Sequence, residues 1–134
     1  MTSSFKRGPH DRPKPSTKDV GDEAEARALA HLSEHGLVLL TRNFKTPGRG
    51  GGEIDLIMRE PDGTVVFVEV RRRSLTRFGG GAASVGVAKQ RRIVFAAKHY
   101  LLQWREWPPC RFDVVVLDGP DQALQWLVGA FEAG

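Results

Sequence analysis

Gly51-Gly52-Glu53-Ile54-Asp55-Leu56-Ile57-Met58, followed after a short turn by Val65-Val66-Phe67-Val68-Glu69-Val70-Arg71, is the stretch that decides the fold. Successive side chains on a strand point to opposite faces. Ile54, Leu56 and Met58 are therefore expected to fill a core while Glu53 and Asp55 share the other side. In the second strand, Val66, Val68 and Val70 take one face, and Glu69 and Arg71 the other. Between the strands, Pro61-Asp62-Gly63 is a turn sequence inside the link from Glu60 to Thr64. Pairing them as a hairpin gathers Asp55, Glu69 and Arg71 in one neighbourhood, a carboxylate on each strand with a cation beside them. Carboxylate oxygens arranged this way suit a hard divalent cation such as magnesium. The same alternation also describes an ordinary half-solvated antiparallel sheet with cross-strand ion pairs. Further elements have to separate the two.

Working towards the N-terminus, a helix is expected from near Asp19 to about His35, with Gly36 as its stop. On that helix Glu25 shares a stripe with Leu29 and Leu32. A carboxylate on a core-facing stripe is costly without a cation or hydrogen-bond donors, so Glu25 should point towards the sheet and find a partner there. A structural salt bridge, with Arg71 as one candidate, would satisfy it equally well. Leu37 to Phe44 is expected to form a first strand, and Thr46 to Gly52 a flexible glycine-rich loop.

Towards the C-terminus, Ser74 to Gly86 is a second glycine-rich connection. A helix from Val87 to Trp104 carries the apolar stripe Ile93, Ala97, Tyr100, Leu101 and Trp104, and Pro108-Pro109 follows it. Phe112 to Leu117 is a β-branched strand expected at the centre of a sheet. Gln125 to Val128 is a candidate last strand, with Gly129 to Glu132 a short terminal turn. The order predicts an α/β protein, a mixed sheet flanked by helices. Residues 1–18 lack periodicity and hold five basic residues and three prolines, the composition of a disordered basic arm. Residues 19–134 are expected to form a single domain, long enough for one core.

Composition narrows the classes of function. No apolar run approaches a membrane span, the N-terminal residues lack a signal-peptide h-region, and one cysteine, Cys110, cannot make an intramolecular disulfide. A cytoplasmic protein is expected. The net charge of +4 is unevenly placed. From Val70 to Lys98 the basic residues are Arg71, Arg72, Arg73, Arg77, Lys89, Arg91, Arg92 and Lys98, with no acid among them. Such a field suits a polyanion, although solubility charge spread around a helix gives a similar pattern.

Taken together, Gly21-Asp22-Glu23-Ala24-Glu25, Gly52-Glu53-Ile54-Asp55-Leu56-Ile57, Phe67-Val68-Glu69-Val70-Arg71, Lys89-Gln90 with Arg92-Ile93, and Arg111-Phe112-Asp113-Val114-Val115 resemble the YraN-like family. These are small bacterial proteins of unassigned function with the restriction-endonuclease-like PD-(D/E)XK fold, similar also to archaeal Holliday junction resolvases. The resemblance spans about Asp19 to Phe131. It implies an αβββαβ core and a phosphodiesterase-type site using Mg²⁺ or Mn²⁺. By position, Glu25 would be the helix acid, Asp55 and Glu69 the metal ligands, and Val70 the donor of a backbone carbonyl to the metal. The fold's signature ends in lysine, and Arg71 stands there instead. Arginine stays protonated and cannot take up a proton, yet it can stabilise phosphorane charge or clamp a phosphate. Arg71, Arg72, Arg73, Lys89, Gln90 and Arg92 are the candidate contacts to nucleic acid.

The expected function is thus a metal-dependent nuclease acting on DNA, with branched forms as one substrate. An inactive nucleic-acid-binding module of the same fold and a protein-binding adaptor are the alternatives, and a homodimer is compatible with each. Other motifs point elsewhere only weakly. His31 and His35 read as a solvated helix face rather than a zinc site. Gly50-Gly51-Gly52 and Gly79-Gly80-Gly81 lack a P-loop ending and read as rims of the cleft. Trp104, Trp107 and Trp126 read as packing residues, and Cys110 as a small apolar filler.

Overall fold

A computed structural model of the chain describes residues 17–48, 50–73 and 85–133. The arm expected over residues 1–18 lies outside them apart from its last two residues, as does most of the Ser74–Gly86 connection. Two helices and five strands follow in the order α1 (Thr17–Glu34), β1 (Val38–Lys45), β2 (Glu53–Arg59), β3 (Val65–Arg73), α2 (Val87–Leu101), β4 (Cys110–Asp118) and β5 (Ala123–Phe131). The strands lie in sequence order in one sheet. All neighbours are antiparallel except β3 and β4, which run parallel across the α2 crossover. This mixed α/β sheet contains the αβββαβ order expected of a restriction-endonuclease-like core. Among the described residues no helix is long and apolar enough to cross a membrane.

α1 starts two residues before the expected Asp19. It ends as its sequence dictates: Gly36, at φ +92°, takes the left-handed conformation that glycine adopts without a Cβ penalty. Leu37 N–H then reaches back to the Leu32 carbonyl at 3.1 Å and Gly36 N–H to that of Ser33 at 3.0 Å. Leu32 and Leu37 both enter the core beneath the helix.

Each face of the sheet carries its own core. Ala28, Leu32 and Leu37 pack with Leu56, Met58, Val66, Val68 and Val115 on the α1 side. On the other, Ile93, Ala96, Ala97 and Leu101 of α2 pack on Ile57, Val65, Phe67, Phe112, Val114 and Val116. The hairpin strands are therefore dry on both faces, not wet on one. Ile54 departs from simple alternation and joins the α2 cluster instead of Leu56 and Met58. α2 comes close to the chain at this end of β2, its Arg92 carbonyl carbon lying only 2.8 Å from where a Cβ on Gly52 would stand. The turn between β2 and β3 is the expected one: Gly63 N–H bonds the Glu60 carbonyl at 2.9 Å and Asp62 Oδ1 accepts from Thr64 N–H at 2.9 Å.

The C-terminal half shows several departures from expectation. α2 stops at Leu101, three residues short of Trp104, and Leu102 turns outward, 70% exposed. β5 runs for nine residues, Ala123 to Phe131, in place of a short strand and a terminal turn. The fully buried Asp113 explains its length. Its carboxylate accepts from Arg111 Nε, Trp126 Nε1 and Gly129 N–H, each at 2.9 Å, so the chain at Gly129 is held against β4. Phe131 can then stack on Phe112, with ring centroids 5.0 Å apart. His31 is partly buried and His35 exposed, and on that open face both rings meet Trp126 edge-on. Trp107 and Cys110 are exposed and fill no core.

Gly52→Ala should destabilise the protein by about 1–3 kcal/mol, since the new methyl meets rigid backbone. Gly86→Ala, where a Cβ meets open space, should stay within roughly 0.5 kcal/mol. Urea unfolding of the two variants beside the parent checks the contrast.

Candidate metal and nucleic-acid site

The register of the hairpin builds the site. Leu56 of β2 pairs with Val68 of β3, so the residues one step further, Asp55 and Glu69, come side by side at the end of the ladder. Val70 N–H donates to Asp55 Oδ2 at 2.8 Å, which fixes the carboxylate against β3. Glu69 is buried, 5% exposed. Its Oε2 accepts from Lys89 Nζ at 2.8 Å, an ion pair supplied by the first turn of α2.

Asp55 and Glu69 line a cleft of about 360 Å³ with Lys45, Thr46, Gly51, Gly52, Lys89 and Arg92 among its walls. Thr46 closes the glycine-rich loop over it: its N–H bonds the Gly52 carbonyl at 3.1 Å and its Oγ1 accepts from Gly52 N–H at 2.8 Å. The ends of this loop are therefore tied together.

Glu25 approaches Asp55 from the α1 side and lines an adjoining groove of about 770 Å³ with Asp22, Arg42 and Asn43. Lys45 and Glu53 face both spaces. The third acid thus meets the other two through Asp55, from outside their cleft. Its Oε1 is buried and has no hydrogen-bond partner among the described residues. The nearest ion-pair contact is Arg42 Nη2 at 3.8 Å, so the salt bridge foreseen for this residue is long and comes from β1.

Packing three acids together alters their chemistry. Burial, reinforced by the Glu69 carboxylate beside it, pushes the Asp55 pKa up to about 8, against the pull of the Val70 N–H. Burial also raises Glu25, opposed chiefly by hydrogen bonding to Asn43 and Asp55. A proton is therefore held among carboxylates that a cation would otherwise bind.

The donor set fits a hard cation of one kind. Among the described residues no three His, Cys, Asp or Glu side chains group closely enough to hold a metal alone. Magnesium does not require such a cage, since it binds through one or two carboxylates and keeps several waters. Asp55 and Glu69 would be two such carboxylates, and Val70 adjoins them through its backbone. The orphaned Glu25 oxygen is a third acceptor beside them.

The basic candidates divide. Lys89 and Arg92 line the cleft. Arg73 forms a bidentate pair with Asp118, at 3.1 and 2.8 Å, in register across β3 and β4. Arg72 Nε bonds Gln122 Oε1 at 3.2 Å, and Gln90 Nε2 bonds the Val85 carbonyl at 2.7 Å. These three are engaged in holding the fold. Arg71 is half-buried, level with Val116 of β4. Arg77 lies outside the described residues. Lys45 is the cleft residue that sequence reading missed. Its signal was faint, a lysine at the end of a strand just before the glycine loop.

An α/β fold with paired acids at a strand end, in a cleft that acids and cations line together, is the class so defined. The model of the uncharacterised protein family UPF0102 matches residues 24–117. A UPF0102 protein of Acidovorax sp. (strain JS42) is 62% identical over 121 residues, covering 90% of each chain. One from Albidiferax ferrireducens is 64% identical over 118 residues, 88% of this chain and 91% of its own. The chain belongs to the UPF0102 family. Among solved structures, the crystal structure of SSO0001 superposes with a TM-score of 0.41 at 14% identity, covering 87% of this chain and 54% of that one.

Unfolded, Asp55 loses its proton near the ordinary 3.8, whereas folded it keeps it to about 8. Between those values the folded state binds more protons, so stability falls as pH rises and levels off above 8. Asp55→Asn, neutral throughout, should flatten that fall and raise the melting temperature at pH 8 by about 3–8 °C. Thermal unfolding at pH 5, 7 and 9 measures this, and an unchanged profile would mean that Asp55 is already ionised in the native protein at pH 5.

Proposed function

We propose that the chain is a Mg²⁺- or Mn²⁺-dependent nuclease-fold protein that cuts DNA, with branched forms as the substrates to test first. The observation that carries this reading is the placement of Asp55 beside the buried Glu69, at the rim of a cleft that also presents Lys45, Lys89 and Arg92. Asp55 and Glu69 would hold the cation, with the Val70 carbonyl and Glu25 as auxiliary oxygen donors. When bound, the cation supplies an activated water and neutralises charge on the scissile phosphate. The chain's own residues do the rest. Lys45 and Arg92 draw the phosphate backbone into the cleft, and Asp55 is kept in place by the Val70 N–H. Arg71 lies beyond Glu69 in the same strand phase, a permanent positive charge suited to a phosphate oxygen.

The second reading is a module of the same fold that binds nucleic acid without cutting it. Arg71 favours it, because a guanidinium at the lysine position of the signature cannot accept a proton from the attacking water. The Asp113 and Arg73–Asp118 networks would serve either protein.

Purified protein with Mg²⁺ or Mn²⁺ should cleave one or more of single-stranded, duplex, flap and four-way DNA. Asp55→Ala and Glu69→Ala should each abolish cleavage while leaving binding equal or tighter, because the lost carboxylate also repelled phosphate. Affinity should fall steeply with salt, and Arg92→Ala should reduce the log–log slope by about 0.9, the value of one phosphate contact. Binding with no cleavage by the parent or by Arg71→Lys would select the non-cutting module. Cleavage that survives Asp55→Ala would count against the nuclease reading, because contaminating nuclease is its ordinary source.

A further inference from the structure

Glu69 is buried and its carboxylate has a resident cation at 2.8 Å, Lys89 of the α2 layer packed on the sheet. The position of that lysine is unfavourable for its own helix. It sits in the first turn of α2, where the macrodipole favours acids, and that turn holds no acidic residue to offset it. What justifies it is Glu69, since an unpaired carboxylate at this depth would be costly. The Lys89 side chain is half exposed and lines the cleft, so its ammonium end can leave Glu69 without unpacking the core.

Resting on the metal-dependent reading above, we propose that Lys89 is the counter-ion of Glu69 only until a divalent cation takes its place, after which its ammonium turns to the phosphate of the bound DNA strand. Both partners compete for one carboxylate oxygen set. Metal binding therefore releases a positive charge into the cleft at the position where the substrate must lie. Lys89 becomes a metal-gated phosphate contact, and DNA affinity and metal affinity are coupled through a single side chain.

The test uses the full-length protein and Mn²⁺ alone as the first probe. Lys89→Met removes the competitor, so Mn²⁺ should bind about fivefold more tightly by calorimetry, the size of a half-exposed ion pair. The rise in melting temperature on adding Mn²⁺ should also exceed that of the parent, which provides a readout even if the metal-free variant is less stable. Lys89→Arg keeps the counter-charge and should bind Mn²⁺ within about twofold of the parent. Arg91→Met, on the outer side of the same helix, should do likewise. The second probe is four-way DNA in Ca²⁺ or in EDTA. Lys89→Met should weaken binding several-fold in Ca²⁺ and leave it unchanged in EDTA, where the parent's ammonium is occupied by Glu69. Unchanged or weaker Mn²⁺ binding by Lys89→Met, or an equal loss of DNA affinity with and without metal, overturns the role of Lys89 and leaves the metal site standing. Failure of the parent and of Lys89→Met to bind Mn²⁺ overturns both.

Discussion

The 2.8 Å hydrogen bond from Val70 N–H to Asp55 is the contact on which the arrangement turns. It joins the last turn of a hairpin ladder to the first residue that leaves the core, and it holds one carboxylate beside another that is buried. Like charges so close are repulsive, and the environment raises the cost because burial disfavours the ionised form. The fold tolerates this because β2 and β3 are covered on both faces. Ile57, Val65 and Phe67 pack under α2, while Leu56, Met58, Val66 and Val68 pack under α1. Two cores, one on each face, clamp the register that sets Asp55 against Glu69. A slip of one residue would turn Ile57 and Phe67 to the α1 side and disperse the acids.

The site also draws on both helical layers. α1 contributes Glu25, which reaches Asp55 from a groove of its own. α2 contributes Lys89 and Arg92, which enter the cleft from above. The glycine at 52 is what allows this second approach, because α2's backbone lies where any larger residue would place its Cβ. Close packing of helix on strand thus sets the distance between the cations of α2 and the acids of the hairpin. The arginines at the end of β3 serve a different purpose. Arg73 grips Asp118 and Arg72 meets Gln122, so they fasten β3 to β4 and to the turn beyond it.

Much of this was legible in the chain. The period-two pattern placed Val66 and Val68 opposite Glu69, and Gly36 marked the end of α1, because both signals are local. What escaped was non-local. A continuous run such as Ile54 to Met58 reads as one apolar face and one wet face, yet a strand covered on both sides looks much the same. Ile57 was the clue, an apolar residue in phase with Asp55. The full length of β5 depended on Asp113, whose carboxylate bonds Gly129 from a neighbouring strand. Arg72 and Arg73 read as free basic charge because their partners lie 50 and 45 residues away. Lys89 reads as a nucleic-acid contact for the same reason, since nothing near it in sequence announces Glu69.

That last difference bears on the arginine at position 71. A signature lysine next to the second acid combines two properties, a positive charge near the phosphate and the capacity to give up a proton. Here the two positions are filled by different chemistry. Arg71 can supply only charge, and the ammonium that touches Glu69 comes from α2. The substitution on β3 is therefore not a simple loss, because the cleft still holds a lysine within reach of its acids. A second basic residue, Lys45, faces the same space from the end of β1. On the nuclease reading, the division places permanent charge on the strand and exchangeable charge on the helix and loop. A site so divided depends on how α2 is seated as much as on the identity of residue 71, for Ile93, Ala96, Ala97 and Leu101 in the core and the close approach at Gly52 together set how near Lys89 comes to Glu69.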